Sequence, residues 1–203
     1  SLVVAIPGLS LLFLGGARII EHDAHHKLSA QHIFVANHLS NFDVFALADR
    51  LPWMKFVAKA ELFKVPILGP AMLRAGMIPI ERSNRKSAFK SYSEATERIT
   101  RGASVAVYPE GTRGSEYALR PFKKGPFVLA IQAQAPIVPI LVYGALDRNR
   151  KGEFKVYPGD IHMHYLPPIP TVGLDYDGRD ELARKTYEAM AACLLEKYGI
   201  ASP

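Results

Sequence analysis

Cysteine is almost absent from this 203-residue chain: Cys193 stands alone, so neither a disulfide framework nor a cysteine-based zinc site is available. It falls on a stretch with amphipathic helical patterning, where a free cysteine reads as a small core residue. There is no internal repeat, no low-complexity tract and no linker-like run, and 49% hydrophobic content at this length fits one sizeable domain. No G-x-S-x-G elbow occurs, which removes the usual nucleophile of a serine hydrolase. Acidic residues are in deficit, 19 against 25 Lys and Arg, giving a formal charge of +6. Such a chain seeks anionic partners: a membrane surface, a phosphate-bearing ligand or nucleic acid. No recognised motif interleaves the basic residues with stacking aromatics, so nucleic acid is set aside.

Long apolar runs are also scarce. Only the first twenty residues, SLVVAIPGLSLLFLGGARII, have membrane character, and the polar run EHDAHHK follows them at once. Pro7, Gly8, Gly15 and Gly16 and the lack of a basic start make this a poor signal peptide and a marginal span. The expectation is an apolar membrane-associating helix over 1–26, lying at the interface with Arg18 at the headgroups, and an α/β domain over 27–203. A plain buried helix is the competing reading. Glu21, His22, Asp23, His25 and His26 are rich in potential ligands but show no recognised metal spacing, so no metal is expected there. His162 and His164 alternate on an expected strand and read as surface or core histidines.

From Gln31 onward short apolar runs alternate with helical stretches. HIFVA, KFVA, MIPI, SVAVY and IVPILVY read as buried strands. Residues 42–50, 61–75 (interrupted at Pro66 and Pro70), 84–101, 127–134 and 180–198 read as helices. EFKVYPG and IHMHYLPPI read as two further strands, joined as a hairpin over Pro158 and Gly159. This alternation predicts a mixed, mostly parallel sheet flanked by helices.

Two strings carry chemistry. Asn37-His38-Leu39-Ser40-Asn41-Phe42-Asp43 follows the strand HIFVA, at a carboxyl end where ligand sites of open α/β sheets concentrate. With His38 on the turn and Asp43 in the first helical turn, the carboxylate could fix the imidazole tautomer and leave Nε2 to take a proton from a substrate hydroxyl. Ser40-x-x-Asp43 is equally a helix-capping box, and the residues alone leave both readings open. Tyr108-Pro109-Glu110-Gly111-Thr112-Arg113 follows SVAVY at another carboxyl end. Gly111 permits close backbone approach, Arg113 can grip phosphate oxygens in bidentate fashion, and Glu110 could orient Arg113 or hold a ligand's polar head. The alternative is a surface turn closed by a Glu110–Arg113 ion pair.

Taken together and in this order, the two strings resemble the motifs of the glycerolipid acyltransferase family. Asn37 to Asp43 is similar to its N-H-x-x-x-x-D motif and Glu110 to Arg113 to its E-G-T-R motif. Gly76-Met77-Ile78-Pro79-Ile80-Glu81-Arg82 resembles the intervening glycine-to-arginine motif, and Val138-Pro139-Ile140 the short proline-containing fourth motif. Val57 to Leu62, leading to Pro66 and Gly69, is also family-like. Leu39, where many relatives have glutamine, and Pro79, often aromatic, are departures that bear on the choice of acceptor.

The resemblance implies a glycerol-3-phosphate acyltransferase-like fold and transfer of a fatty acyl group from acyl-CoA or acyl carrier protein to the sn-2 hydroxyl of 1-acylglycerol-3-phosphate. It implies His38 as base and Asp43 as its partner. Lys59, Arg82 and Arg113 would anchor the acceptor phosphate, with Glu110, Gly111 and Thr112 completing the binding loop. No metal and no cofactor beyond the thioester donor are expected. Glycerol 3-phosphate or another lysophospholipid is the alternative acceptor, and a non-catalytic basic membrane-binding module the alternative of another class. The expected location is the cytoplasmic face of a membrane carrying anionic lipid, with Lys123, Lys124, Arg148, Arg150 and Lys151 contributing positive charge.

Overall fold

Alternate residues of the central strands are apolar on both sides, so each strand can bury both faces. In β2 (Ile33–Ala36) the side chains of Ile33 and Val35 enter one core and those of Phe34 and Ala36 the other. The computed structural model describes residues 16–27, 31–81, 85–150, 152–153 and 155–203, the side chains of 85–89 excepted. The remaining strands are β1 (Ala17–His22), β3 (Lys55–Lys59), β4 (Ile78–Ile80), β5 (Val105–Val107), β6 (Ile137–Tyr143) and β7 (Gly159–Tyr165). They form a seven-stranded sheet in the order β1-β7-β6-β2-β5-β3-β4. From β6 to β4 all neighbours are parallel, β7 is antiparallel to β6, and β1 is parallel to β7.

The helices are α1 (Asn41–Arg50), α2 (Leu68–Arg74), α3 (Arg85–Thr100), α4 (Gly125–Ala133), α5 (Ala145–Arg148) and α6 (Arg179–Tyr198). The chain leaves β2 toward β3 through α1, but leaves β5 in the opposite direction, toward β6, through α4. Right-handed crossovers in opposite directions put their helices on opposite faces. The cores agree: Phe42, Ala46 and Leu47 of α1 lie in one, Phe127 and Leu129 of α4 with Ile99 of α3 in the other. The adjacent strands β2 and β5 therefore end at a point where the chain departs both ways, which opens a crevice at their carboxyl ends.

The mostly parallel α/β architecture stands, and three expectations are corrected. Ala17–His22 is a strand, not part of a helix: it pairs with β7, and Arg18 forms an ion pair with Asp160 at 2.9 Å. Residues 1–15 of the expected membrane-associating segment lie outside the described residues. Among the described residues no helix is long and apolar enough to cross a membrane. The helix expected over 61–75 with interruptions at Pro66 and Pro70 breaks only around Pro66, into a 3-10 helix Ala60–Lys64 and α2, because Pro70 falls in the first turn of α2, where no backbone donor is needed. No hairpin forms over Pro158 and Gly159: residues 155–158 have no regular structure, and β7 pairs with β1 and β6 instead.

Candidate active site

At the end of β2 the buried Asn37 clips the sheet. Its amide donates to the Val142 carbonyl at 2.9 Å and its Oδ1 accepts the Val142 N–H at 2.7 Å, tying β2 to β6 just before His38. Ser40 is extended, at φ −145 and ψ 165, and caps α1: its Oγ accepts the Phe42 N–H at 3.2 Å and donates to the Asn149 carbonyl at 2.7 Å. Asp43 sits in the first turn and is completely buried. One of its oxygens, Oδ2, accepts from Leu39 N–H at 2.6 Å and Ser40 N–H at 2.8 Å and lies 3.1 Å from His38 Nδ1.

The two readings left open for this string are thus both present, and they share an atom. The capping box is the device that brings Asp43 back to His38. A carboxylate at Nδ1 requires the proton there, so Nε2 carries the lone pair and has no hydrogen-bond partner among the described residues. The His38 side chain keeps 17% of its surface exposed.

The second wall is the loop after β5. The ring of Tyr108 stacks on His38 with centroids 4.1 Å apart, and its hydroxyl is buried without a hydrogen-bond partner among the described residues. Burial, then the nearby Asp43 carboxylate, pushes that hydroxyl's pKa well up, so it stays neutral. The loop is closed by Gly111 N–H to Tyr108 carbonyl at 3.1 Å, with Gly111 at φ 75, a conformation natural only to glycine. Gly114 N–H reaches the His38 carbonyl at 2.8 Å, and Lys123 N–H the Pro109 carbonyl at 2.9 Å.

Glu110 does not meet Arg113. Its carboxyl is 4% exposed, its Oε1 accepts the backbone N–H of His38 at 3.2 Å, and its Oε2 has no partner among the described residues. Glu110 therefore buttresses the His38 turn from below instead of orienting Arg113. Burial raises its pKa from 4.5 to about 7, reinforced by Asp43 and opposed by the His38 N–H and Arg120. Between those values the folded chain binds a proton that the unfolded chain has released, so stability is full below pH 4.5 and falls as pH rises to about 7. The loss is on the order of 3 kcal/mol. Glu110→Gln keeps an acceptor for His38 N–H and removes the ionisation. Urea unfolding at pH 5 and pH 8 should show a smaller drop in stability for the variant, and parallel behaviour would refute the account.

Arg113 is half-buried and, among the described residues, has no ion-pair or hydrogen-bond partner; Thr112 is exposed beside it. Gly111 uses its own amide in the turn, while the backbone N–H groups of Thr112 and Arg113 have no partner among the described residues. Lys59, at the carboxyl end of β3, is exposed and pairs with Glu61 at 3.1 Å. Arg82 lies outside the described residues, although Glu81 before it follows the carboxyl end of β4. Lys124 is engaged by Asp180 at 2.9 Å, and Lys151 is outside the described residues.

Several contributors are not legible in the sequence. Lys123, grouped there with surface charge, lies along Gly111, where an added Cβ would meet its Cε at 3.0 Å. The Tyr108 stack, the Asn37 clip and the Ser40–Asn149 bond join residues that only the fold brings together, and no local pattern announces them. The same holds for His22, which stacks against His164 at 4.2 Å and meets His162 Nδ1 at 3.0 Å. Glu21 is taken by Lys27 and Tyr165, and among the described residues no group of three potential ligands could hold a metal ion.

Known proteins resemble this arrangement. The acyltransferase family model matches residues 18–143, which takes in both loops. Human 1-acyl-sn-glycerol-3-phosphate acyltransferase alpha is 36% identical over 191 residues, covering 93% of this chain and 68% of that protein. The 1-acyl-sn-glycerol-3-phosphate acyltransferase of Limnanthes alba is 37% identical over 185 residues, covering 90% of this chain and 65% of that protein. The fold matches the crystal structure of the 1-acyl-sn-glycerophosphate (LPA) acyltransferase PlsC from Thermotoga maritima with a TM-score of 0.82 at 22% identity, over 98% of this chain and 80% of the other. With the matched region running across the sheet from β1 to β6 and through both loops, the chain belongs to the acyltransferase family.

Proposed function

We propose that this enzyme transfers a fatty acyl group from acyl-CoA or acyl carrier protein to the free sn-2 hydroxyl of 1-acylglycerol-3-phosphate, giving phosphatidic acid. The observation that carries the reading is the His38–Asp43 pair, held by a helix cap beside the Glu110–Arg113 loop at one carboxyl edge of the sheet. The names of the human and Limnanthes relatives support the choice of acceptor.

The chemistry needs few parts. As the acceptor oxygen attacks the thioester carbonyl carbon, its proton passes to His38 Nε2 and the carbonyl becomes an oxyanion. The unpartnered amides of Thr112 and Arg113 are the donors we assign to that charge. Collapse breaks the carbon–sulfur bond, and the imidazolium returns the proton to the leaving thiolate. Asp43 holds the ring in its productive tautomer and stabilises the imidazolium between the two transfers. Arg113 and Lys59, with Arg82 as the motif resemblance implies, anchor the acceptor phosphate and so position the hydroxyl. Base, orienting group and phosphate grip complete the reaction without a metal or cofactor other than the donor. The acceptor's fatty tail places the work at a membrane surface, on the cytoplasmic face where acyl carriers are found.

An acyl-transfer assay of the purified protein against lysophosphatidic acid, glycerol 3-phosphate and other lysophospholipids, with each thioester carrier and mass-spectrometric readout, tests the assignment. Dominant product from another acceptor would move the substrate while keeping the chemistry. Arg113→Ala removes charge-assisted bonds worth about 1.5–3 kcal/mol, so the acceptor KM should rise roughly 10- to 100-fold. The donor KM should hardly change. An unchanged acceptor KM would show that the phosphate is held elsewhere.

A further inference from the structure

Between β3 and β4 the chain turns an unusual amount of apolar surface outward. Five of the twelve large exposed hydrophobic residues among those described, Leu62, Val65, Ile67, Leu68 and Leu73, fall within residues 62–73. Scattered exposed leucines need no explanation, but a contiguous group does. The segment is anchored from one side only: Gly69, Met72 and Ala75, at intervals of three, are its buried residues.

The outward display is built at a cost. Ile67 has φ 67 and ψ −53, and the Leu68 N–H closes onto the Pro66 carbonyl at 2.7 Å, a γ-turn of the rare strained hand. Positive φ is especially unfavourable for a β-branched residue. Among the described residues nothing folds over that side chain in return, for Ile67 is 89% exposed. The turn is fixed by Gly69, whose N–H reaches the Val65 carbonyl at 2.8 Å and where any Cβ would overlap the Phe63 carbonyl. Strain of this kind persists where function holds it.

The charge around the group is mainly positive, although Glu81 lies near enough to Glu61 to act on it. Lys64 and Arg74 are exposed within it, and its only acid, Glu61, is occupied by Lys59. Apolar side chains ringed by long cations match an anionic bilayer, with the cations reaching back to the headgroups. The segment leaves β3 at the same carboxyl edge that carries His38 and the Glu110 loop. We propose that Leu62, Ile67, Leu68 and Leu73, flanked by Lys64 and Arg74, form a docking surface for an anionic lipid bilayer beside the mouth of the site. The inference rests on the lipid acceptor proposed above, since a bilayer substrate requires the mouth to face the membrane.

The test uses the full chain and sedimentation with vesicles of phosphatidylcholine, with and without phosphatidylglycerol. Ile67→Ser combined with Leu68→Ser and Leu73→Ser should lower partitioning at least about tenfold. Lys64→Glu with Arg74→Glu should abolish the preference for phosphatidylglycerol. Acylation of a short-chain, water-soluble acceptor should be unaltered in both variants, and unaltered vesicle binding would overturn the proposal. As a readout without loss of apolar surface, Ile67→Trp in a Trp53→Phe background should be quenched by brominated lipid. An unquenched tryptophan would also overturn it, as would conversion of a wild-type dimer to monomer by the serine variant, which would assign the face to a second copy. The vesicle measurements need no turnover: lost binding in the variants with no acyl transfer by any form would sink the proposed reaction and leave the docking surface standing.

Discussion

Replacing His38 with alanine is expected to lower kcat by about 10²- to 10⁴-fold, the range general-base catalysis supplies, with the acceptor KM within a few-fold of wild type. The substitution is clean because what His38 gives the fold is mostly backbone. Its N–H donates to Glu110 and its carbonyl accepts from Gly114, and alanine preserves both. The ring's own contacts are the Asp43 hydrogen bond and the Tyr108 stack, at a partly exposed position. Single-turnover acyl transfer, with circular dichroism and vesicle binding as controls, reads the effect. Full activity in the alanine variant would end the mechanism.

The second large effect divides between chemistry and fold. Asp43→Ala removes the acceptor from two buried backbone N–H groups and one ring nitrogen at once, and should destabilise the protein by about 2–4 kcal/mol. Asp43→Asn keeps the size and an acceptor oxygen for the cap, so its stability should lie much nearer wild type. The amide oxygen in that shared position still accepts from Nδ1, but it carries no charge, so the imidazolium formed when His38 takes the proton loses its stabilising partner. We expect kcat to fall about 10²- to 10⁴-fold in the asparagine variant. Denaturant unfolding beside steady-state kinetics separates the two substitutions, and wild-type kcat in the asparagine variant would strip the Asp43 charge of its role in stabilising the imidazolium.

Much of the site is legible in the sequence because the informative contacts are local. His38 and Asp43 lie within one turn of a helix start, and the strands HIFVA and SVAVY carry continuous apolar runs that mark buried parallel strands. Strand identity therefore places both loops at carboxyl ends. Glu110 misleads because a Glu-Gly-Thr-Arg string suggests a pair within itself, whereas its real partner is a backbone amide 72 residues away. β1 misleads because the short apolar run around it has no period that separates a strand from a membrane helix. Its pairing with β7, 142 residues distant at Arg18–Asp160, decides it. The expected hairpin fails because β7 takes β6, the preceding strand, on one side and the distant β1 on the other, which leaves no edge for the residues just before it.

The Asn37 clip and the Ser40–Asn149 bond carry a consequence for biosynthesis. They join positions 105 and 109 residues apart, while the His38–Asp43 pair spans only five. During translation the paired side chains can therefore find each other early, in a cap that needs nothing but the start of a helix. The wall against which they work arrives only when β6 and the residues through Asn149 have emerged and docked. A nascent chain ending before that point carries both signature strings and lacks a working site, so reactive chemistry is withheld until the domain is nearly whole.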